Sequence, residues 1–216
     1  LDNTCFMLYG LLIMILGHVA KNYDRRLDKA ALREGFGLAL DEANFFVDGP
    51  IAVAITKTQL ATLDGNGKHY KNQDSGFCAV QGNIYNRAEV AKHATEEMPA
   101  DAGDAGLLHH LCGANACHRF ATLNGNFAAA CWDAKHHRLI LLRDHLGIEP
   151  LYYVENNHDV LFSTSLKALM RHRSLRREID PVVLYRYLLF NYNPTSDTFI
   201  KNIKKERYIL LCVCCA

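Results

Sequence analysis

The chain has 216 residues, half of them apolar, with 24 basic and 23 acidic side chains and a net charge of +1. That length allows one large domain or two small ones with a sizeable core. The even charge gives no electrostatic reason to expect nucleic acid or a membrane surface as partner; the pair Arg176-Arg177 and the run Lys201 to Arg207 read as solvated faces.

In chain order, Cys5 to Gly17 is a run of 13 almost wholly apolar residues. A membrane-crossing helix needs roughly 20. Leu1 to Thr4 carry Asp2 and no Lys or Arg, which argues against a signal peptide, so a buried first strand from Leu8 to Gly17, or a strand with its turn, is predicted. Asp28 is a helix cap for Lys29 to Glu34. Phe45 to Val47 and Ile51 to Ile55, joined through Asp48-Gly49-Pro50, predict a hairpin. Asp64-Gly65-Asn66-Gly67 and Asn72 to Gly76 read as loop. Phe77 to Val80 is a buried strand.

Asn86, with Glu89 three residues on, has the pattern of a capping box for a helix to about Glu97. Asp104 is read as the cap of a helix through Cys112. Phe127 to Phe162 predicts a meander of about four strands, with turns at Asp133 to His137 and Glu155 to Asp159. Ser165 to His172 is helical. Asp180-Pro181 is a cap followed by proline at the first helical position, opening a helix through Leu189. Strands grouped together and helices apart argue α+β rather than a parallel sheet.

The eight cysteines show no disulfide framework by spacing. Cys78 and Cys131 fall inside apolar strands and are predicted to be buried thiols, so a reduced, cytoplasmic protein is expected. Cys112, Cys117 and His118 match no strong zinc pattern, and no metal is expected. The ending Cys212-Val213-Cys214-Cys215-Ala216 is not a prenylation signal.

Four segments carry a family resemblance: Gln81-Gly82-Asn83-Ile84-Tyr85-Asn86, Asp104 to Leu111, Leu123 to Tyr153 with its Arg143-Asp144-His145-Leu146-Gly147-Ile148-Glu149-Pro150 core, and Phe162 to Leu169. They resemble the glutaminase domain of the asparagine synthetase family, a type-2 glutamine amidotransferase. A fifth, Ile179 through Lys205, resembles the segment that leads into the synthetase domain. The resemblance implies an N-terminal-nucleophile hydrolase fold, a four-layer αββα sandwich of two antiparallel sheets. It also implies a division into residues 1–175, the amidotransferase-like domain, and 176–216, the start of the linker and synthetase segment.

The chemistry implied is hydrolysis of glutamine to glutamate and ammonia. An N-terminal cysteine thiol attacks the side-chain carbonyl, its own α-amine acting as base, and two donors stabilise the oxyanion. Carried onto this chain, the oxyanion donors are Gln81 and the Gly82 amide. The family has Asn where Gln81 stands, and the extra methylene displaces the donor by about 1 Å, an error that can cost ~100-fold. Asn83 replaces a substrate-holding Glu. Asp104 matches the residue that grips the substrate ammonium, and reads equally as a helix cap. Lys57 aligns with the Arg that grips the carboxylate, and offers a point charge rather than a fork. Arg143 and Asp144 are expected to be structural, an ion pair shaping the turn.

The family's opening Met-Cys-Gly-Ile is missing. Either Cys5 is the nucleophile after removal of Leu1 to Thr4, or Met14 is the equivalent start and Ile15 stands where the cysteine belongs. The first register gives a glutamine-hydrolysing domain that releases ammonia to a synthetase domain or subunit. The second gives a degenerate, non-catalytic scaffold of an amide- or lactam-forming enzyme. No Ser-Gly-Gly-x-Asp-Ser pyrophosphate loop is present, so no cofactor is expected on this chain; ATP and magnesium would belong to a missing synthetase domain or a partner.

Overall fold

The computed structural model describes residues 14–37, 43–56, 69–72, 76–92, 103–113, 117–206 and 211–214. Among the described residues eleven strands form two sheets. They are β1 (Met14–Ala20), β2 (Asn44–Asp48), β3 (Ile51–Thr56), β4 (His69–Asn72), β5 (Gly76–Ile84), β6 (Gly125–Asp133), β7 (Arg138–Arg143), β8 (Tyr152–Glu155), β9 (Asp159–Ser163), β10 (Lys204–Lys205) and β11 (Leu211–Cys214). The helices are α1 (Lys29–Phe36), α2 (Arg87–Ala91), α3 (Gly103–Gly113), α4 (Leu166–Leu169) and α5 (Pro181–Phe190). One sheet has the order β10-β8-β9-β1-β3-β2, the other β11-β7-β6-β5-β4, and the pairings are antiparallel.

The period of two sorts side chains into three cores. Ile15, Val53, Phe77, Ala79, Ala128, Trp132, Leu141 and Phe162 fill the space between the sheets. Outside the five-stranded sheet, Cys78, Val80 and Ile140 pack against Leu107, Leu108 and Leu111 of α3 and against Phe120. Outside the six-stranded sheet, Leu16, Ala54 and Leu161 pack against Leu32 and Phe36 of α1 and Leu169 of α4. The result is the αββα sandwich expected from the sequence. Among the described residues no helix is long and apolar enough to cross a membrane.

Local signals land well. Asp28 caps α1 by accepting the Ala31 amide, and Gly37 ends it in the left-handed region. The β2–β3 hairpin closes through Gly49 and Pro50, with Asp48 opposite Ile51. Asp180 caps α5 through Val182 and Val183, with Pro181 at its start.

Other expectations need correction. β1 runs on to Ala20, past Gly17, which is not a turn; the Phe162 ring lies over it, and a Cβ there would sit 2.2 Å from Phe162 Cζ. Asn86 does not cap α2 with its side chain, because its Nδ2 donates to the Thr122 carbonyl and its Oδ1 accepts the Asn124 amide. α3 begins at Gly103, so Asp104 lies in its first turn and not at the cap. The expected four-strand meander is two hairpins in different sheets: β6–β7 in one, β8–β9 in the other, with the chain crossing between layers from Arg143 to Leu151. Finally, Cys78 and Cys131 stand opposite each other on β5 and β6 and are joined as a disulfide, where the spacing predicted free thiols.

Candidate functional site

β5 carries the residues that the resemblance singles out. Phe77, Ala79 and Gln81 form one alternating row, of which Phe77 and Ala79 belong to the core between the sheets. Gln81 is buried at the end of this row, opposite Ala128 of β6. Its Nε2 donates to Glu149 Oε2 at 2.6 Å. Its Oε1 is buried and has no hydrogen-bond partner among the described residues.

The next residue, Gly82, has φ of 87° and lies opposite Phe127. A Cβ at this position would fall 2.0 Å from the Asn126 carbonyl oxygen. Both the left-handed backbone and the close approach require glycine. Asn83 is half-buried and faces Asn126 across the ladder. The Asn126 side-chain oxygen accepts the Tyr85 hydroxyl at 2.8 Å. Asp104 is 2% exposed, and its Oδ2 accepts the Ile84 amide at 3.1 Å. α3 therefore holds the end of β5 through this carboxylate, a structural task for the residue expected on a substrate ammonium.

The turn that presents Glu149 is held from inside. Arg143 Nε donates to the Glu149 carbonyl at 2.6 Å, Nη1 to the Glu206 carbonyl at 2.6 Å, and Nη2 to the Gly147 carbonyl. Asp144 accepts the amides of Ile148 at 2.9 Å and Glu149 at 3.0 Å. The two residues shape the turn as expected, but by gripping its backbone. Burial pulls the Arg143 guanidinium below its usual value, and the nearby Asp144 carboxylate opposes this. The Asp144 amide donates to the Phe127 carbonyl, so the turn is also hooked to the residue paired with Gly82.

On the facing sheet, Ile15 is fully buried in the core between the layers. Its amide donates to Thr164 Oγ1 at 3.1 Å and its carbonyl accepts the Thr164 amide at 2.9 Å. Met14 donates its amide to Thr56 Oγ1 at 3.2 Å. The position that the Met14 register equates with the nucleophile thus holds an aliphatic side chain on an engaged backbone. Cys5 and Lys57 lie outside the described residues. The structure therefore gathers Gln81, Gly82, Asn83 and Asp104 at one end of β5. It adds Glu149, which lies within the Arg143 to Tyr153 motif but to which the sequence assigns no role.

Residues 16–208 match the family model described as a glutamine amidotransferase domain. The chain is 26% identical over 178 residues to asparagine synthetase [glutamine-hydrolyzing] 2 of Bacillus subtilis, covering 78% of this chain and 24% of that protein. It is 35% identical over 151 residues to asparagine synthetase [glutamine-hydrolyzing] 3 of the same organism, covering 68% of this chain and 22% of that one. Over 94 residues it is 38% identical to the carboxyethyl-arginine beta-lactam-synthase of Streptomyces clavuligerus, covering 44% of this chain and 18% of that enzyme. The chain spans about a quarter of the length of the two asparagine synthetases. With a family model matching most of its length and two antiparallel sheets to carry it, the chain belongs to the glutamine amidotransferase domain family, in the form found in asparagine synthetase-like proteins.

Proposed function

We propose that this chain is an amidotransferase domain that has kept its body and lost glutamine hydrolysis, serving as a scaffold for an amide- or lactam-forming synthetase segment. The observation that carries this reading is the bond from Gln81 Nε2 to Glu149. The amide that would polarise a substrate carbonyl is already donating to a carboxylate. Ile15, buried and without a nucleophilic atom, supports the same reading. The synthetase segment is inferred from the three quarters of the relatives' length that this chain does not span. It is supported by α5, whose Val182, Tyr185, Leu188 and Leu189 are exposed. In this reading residues 176–216 lead toward that segment, and ATP and magnesium act there.

A second reading, in which the domain hydrolyses glutamine and passes on ammonia, is favoured by Gly82. Its left-handed backbone is the part of the oxyanion site that the sequence retains unchanged. In that reading Cys5 is the nucleophile, and Lys57, Asn83 and Asp104 hold glutamine.

A diazoketone analogue of glutamine, which alkylates an activated thiol at such a site, separates the two. The scaffold reading expects no adduct in the intact mass after incubation with the analogue. An adduct on Cys5, blocked by excess glutamine, would establish the second reading in its place. The Cys78–Cys131 disulfide argues against the reduced, cytoplasmic setting expected from the cysteines.

A further inference from the structure

We propose that Glu149 is a positioning residue that masks Gln81, withholding its amide donor from any ligand carbonyl or oxyanion. The proposal deepens the scaffold reading and rests on it for the role of Gln81.

Gln81 is 3% exposed, so its amide has few neighbours to choose among. Nε2 meets Glu149 Oε2 at 2.6 Å, a short charge-assisted bond. Among the described residues Oε1 is left buried with no hydrogen-bond partner. Turning the amide over would give Glu149 an oxygen in place of the donor and set two acceptors against each other. The orientation is therefore fixed by Glu149, and it persists although it strands the oxygen. An amide free to serve a ligand would not be spent in this way.

The mask is a built feature of the turn. Arg143 fixes the Glu149 carbonyl, Asp144 fixes the Glu149 amide, and Gly147 leaves room for the guanidinium, a Cβ there falling 2.8 Å from Arg143 Cζ. The same guanidinium holds the Glu206 carbonyl, and the Glu206 amide donates to Leu151. A continuous set of hydrogen bonds thus runs from the C-terminal segment at Glu206, through Arg143 and the turn, to the donor on β5. Movement of that segment has a physical route to Gln81.

The test uses the whole chain with Glu149→Ala and Glu149→Gln, checked for folding by their unfolding midpoints. The first readout is the Gln81 side-chain NH2 resonance pair in 15N-labelled protein. In the native chain one proton is expected far downfield and slow to exchange. In Glu149→Ala the pair should collapse toward ordinary amide shifts, with Glu149→Gln intermediate. The second readout is binding of L-glutamine followed by NMR shifts. Removing the competing acceptor should tighten binding about tenfold or more. The gain should vanish in a Gln81→Leu background. Should Glu149→Ala not fold, Glu149→Gln carries both readouts. Unchanged Gln81 resonances, equal or absent binding in the variants, or a gain that survives Gln81→Leu would each overturn the mask. Glutamate release from the native chain would instead overturn the scaffold reading while leaving the Gln81 resonances to be judged separately.

Discussion

The indole Nε1 of Trp132, on β6, donates to Asp48 Oδ2, at the end of β2, across 2.9 Å, and so joins the two sheets at one end of the sandwich. Phe46 of β2 and Phe77 of β5 stack beside them with centroids 4.5 Å apart. Asp48 itself is exposed, whereas Trp132 is 1% exposed. Removing the acceptor leaves a buried indole N–H to find water. Asp48→Ala is therefore expected to cost about 1–2 kcal/mol, and Asp48→Asn less, read from urea unfolding midpoints. A Trp132→Phe background should shrink the effect of Asp48→Ala to near zero.

A buried histidine makes the fold sensitive to acid. His172 packs edge-on against Phe36 and His18, and its Nδ1 accepts the Ser174 amide at 3.3 Å, which requires the neutral ring. Burial, with His18 and Arg173 nearby, lowers its pKa from 6.5 to about 4. Burial lowers His18 as well, against the pull of Asp159. The folded pKa lies below the unfolded value, so the unfolded chain takes up the proton first as pH falls. Stability is complete above about pH 6.5, declines between 6.5 and 4, and levels below that. For His172 the fall from 6.5 to about 4 amounts to roughly 3 kcal/mol. His172→Asn, whose amide oxygen can replace Nδ1 as acceptor, should flatten the profile of unfolding midpoint against pH through that window.

Gly82 makes a sharper prediction. Gly82→Ala places a methyl group 2.0 Å from the Asn126 carbonyl oxygen on a backbone with φ of 87°. The β5–β6 ladder must shift to admit it, and the loss of stability should exceed about 2 kcal/mol, measured by thermal and urea unfolding. A cost below about 0.5 kcal/mol would mean that the backbone at Gly82 is not held as described.

What could be read from the sequence was local. Asp28 opens α1, Asp180-Pro181 opens α5, and Asp48 to Ile51 closes a hairpin, each within a few residues of its signal. The features that failed depend on distant partners. Gly17 looks like a turn until Phe162, far along the chain, is seen to lie over it. The strands from Gly125 to Ser163 are all short, largely apolar runs, so no local pattern assigns them to different sheets; the crossover from Arg143 to Leu151 does so. Asn86 had a capping pattern, but Thr122 and Asn124 claim its side chain. The pair at the candidate site is of the same kind, since Gln81 and Glu149 are 68 positions apart. The motif around Arg143 marked that turn as special without saying what its last acid touches.

In the proposed scaffold an amidotransferase body persists without its hydrolytic reaction. Glutamate released from L-glutamine by the intact chain measures it most directly, with Cys5→Ala as the matched control. A scaffold releases glutamate no faster than buffer does, with no difference between the two proteins. Sustained turnover that disappears in Cys5→Ala would contradict it.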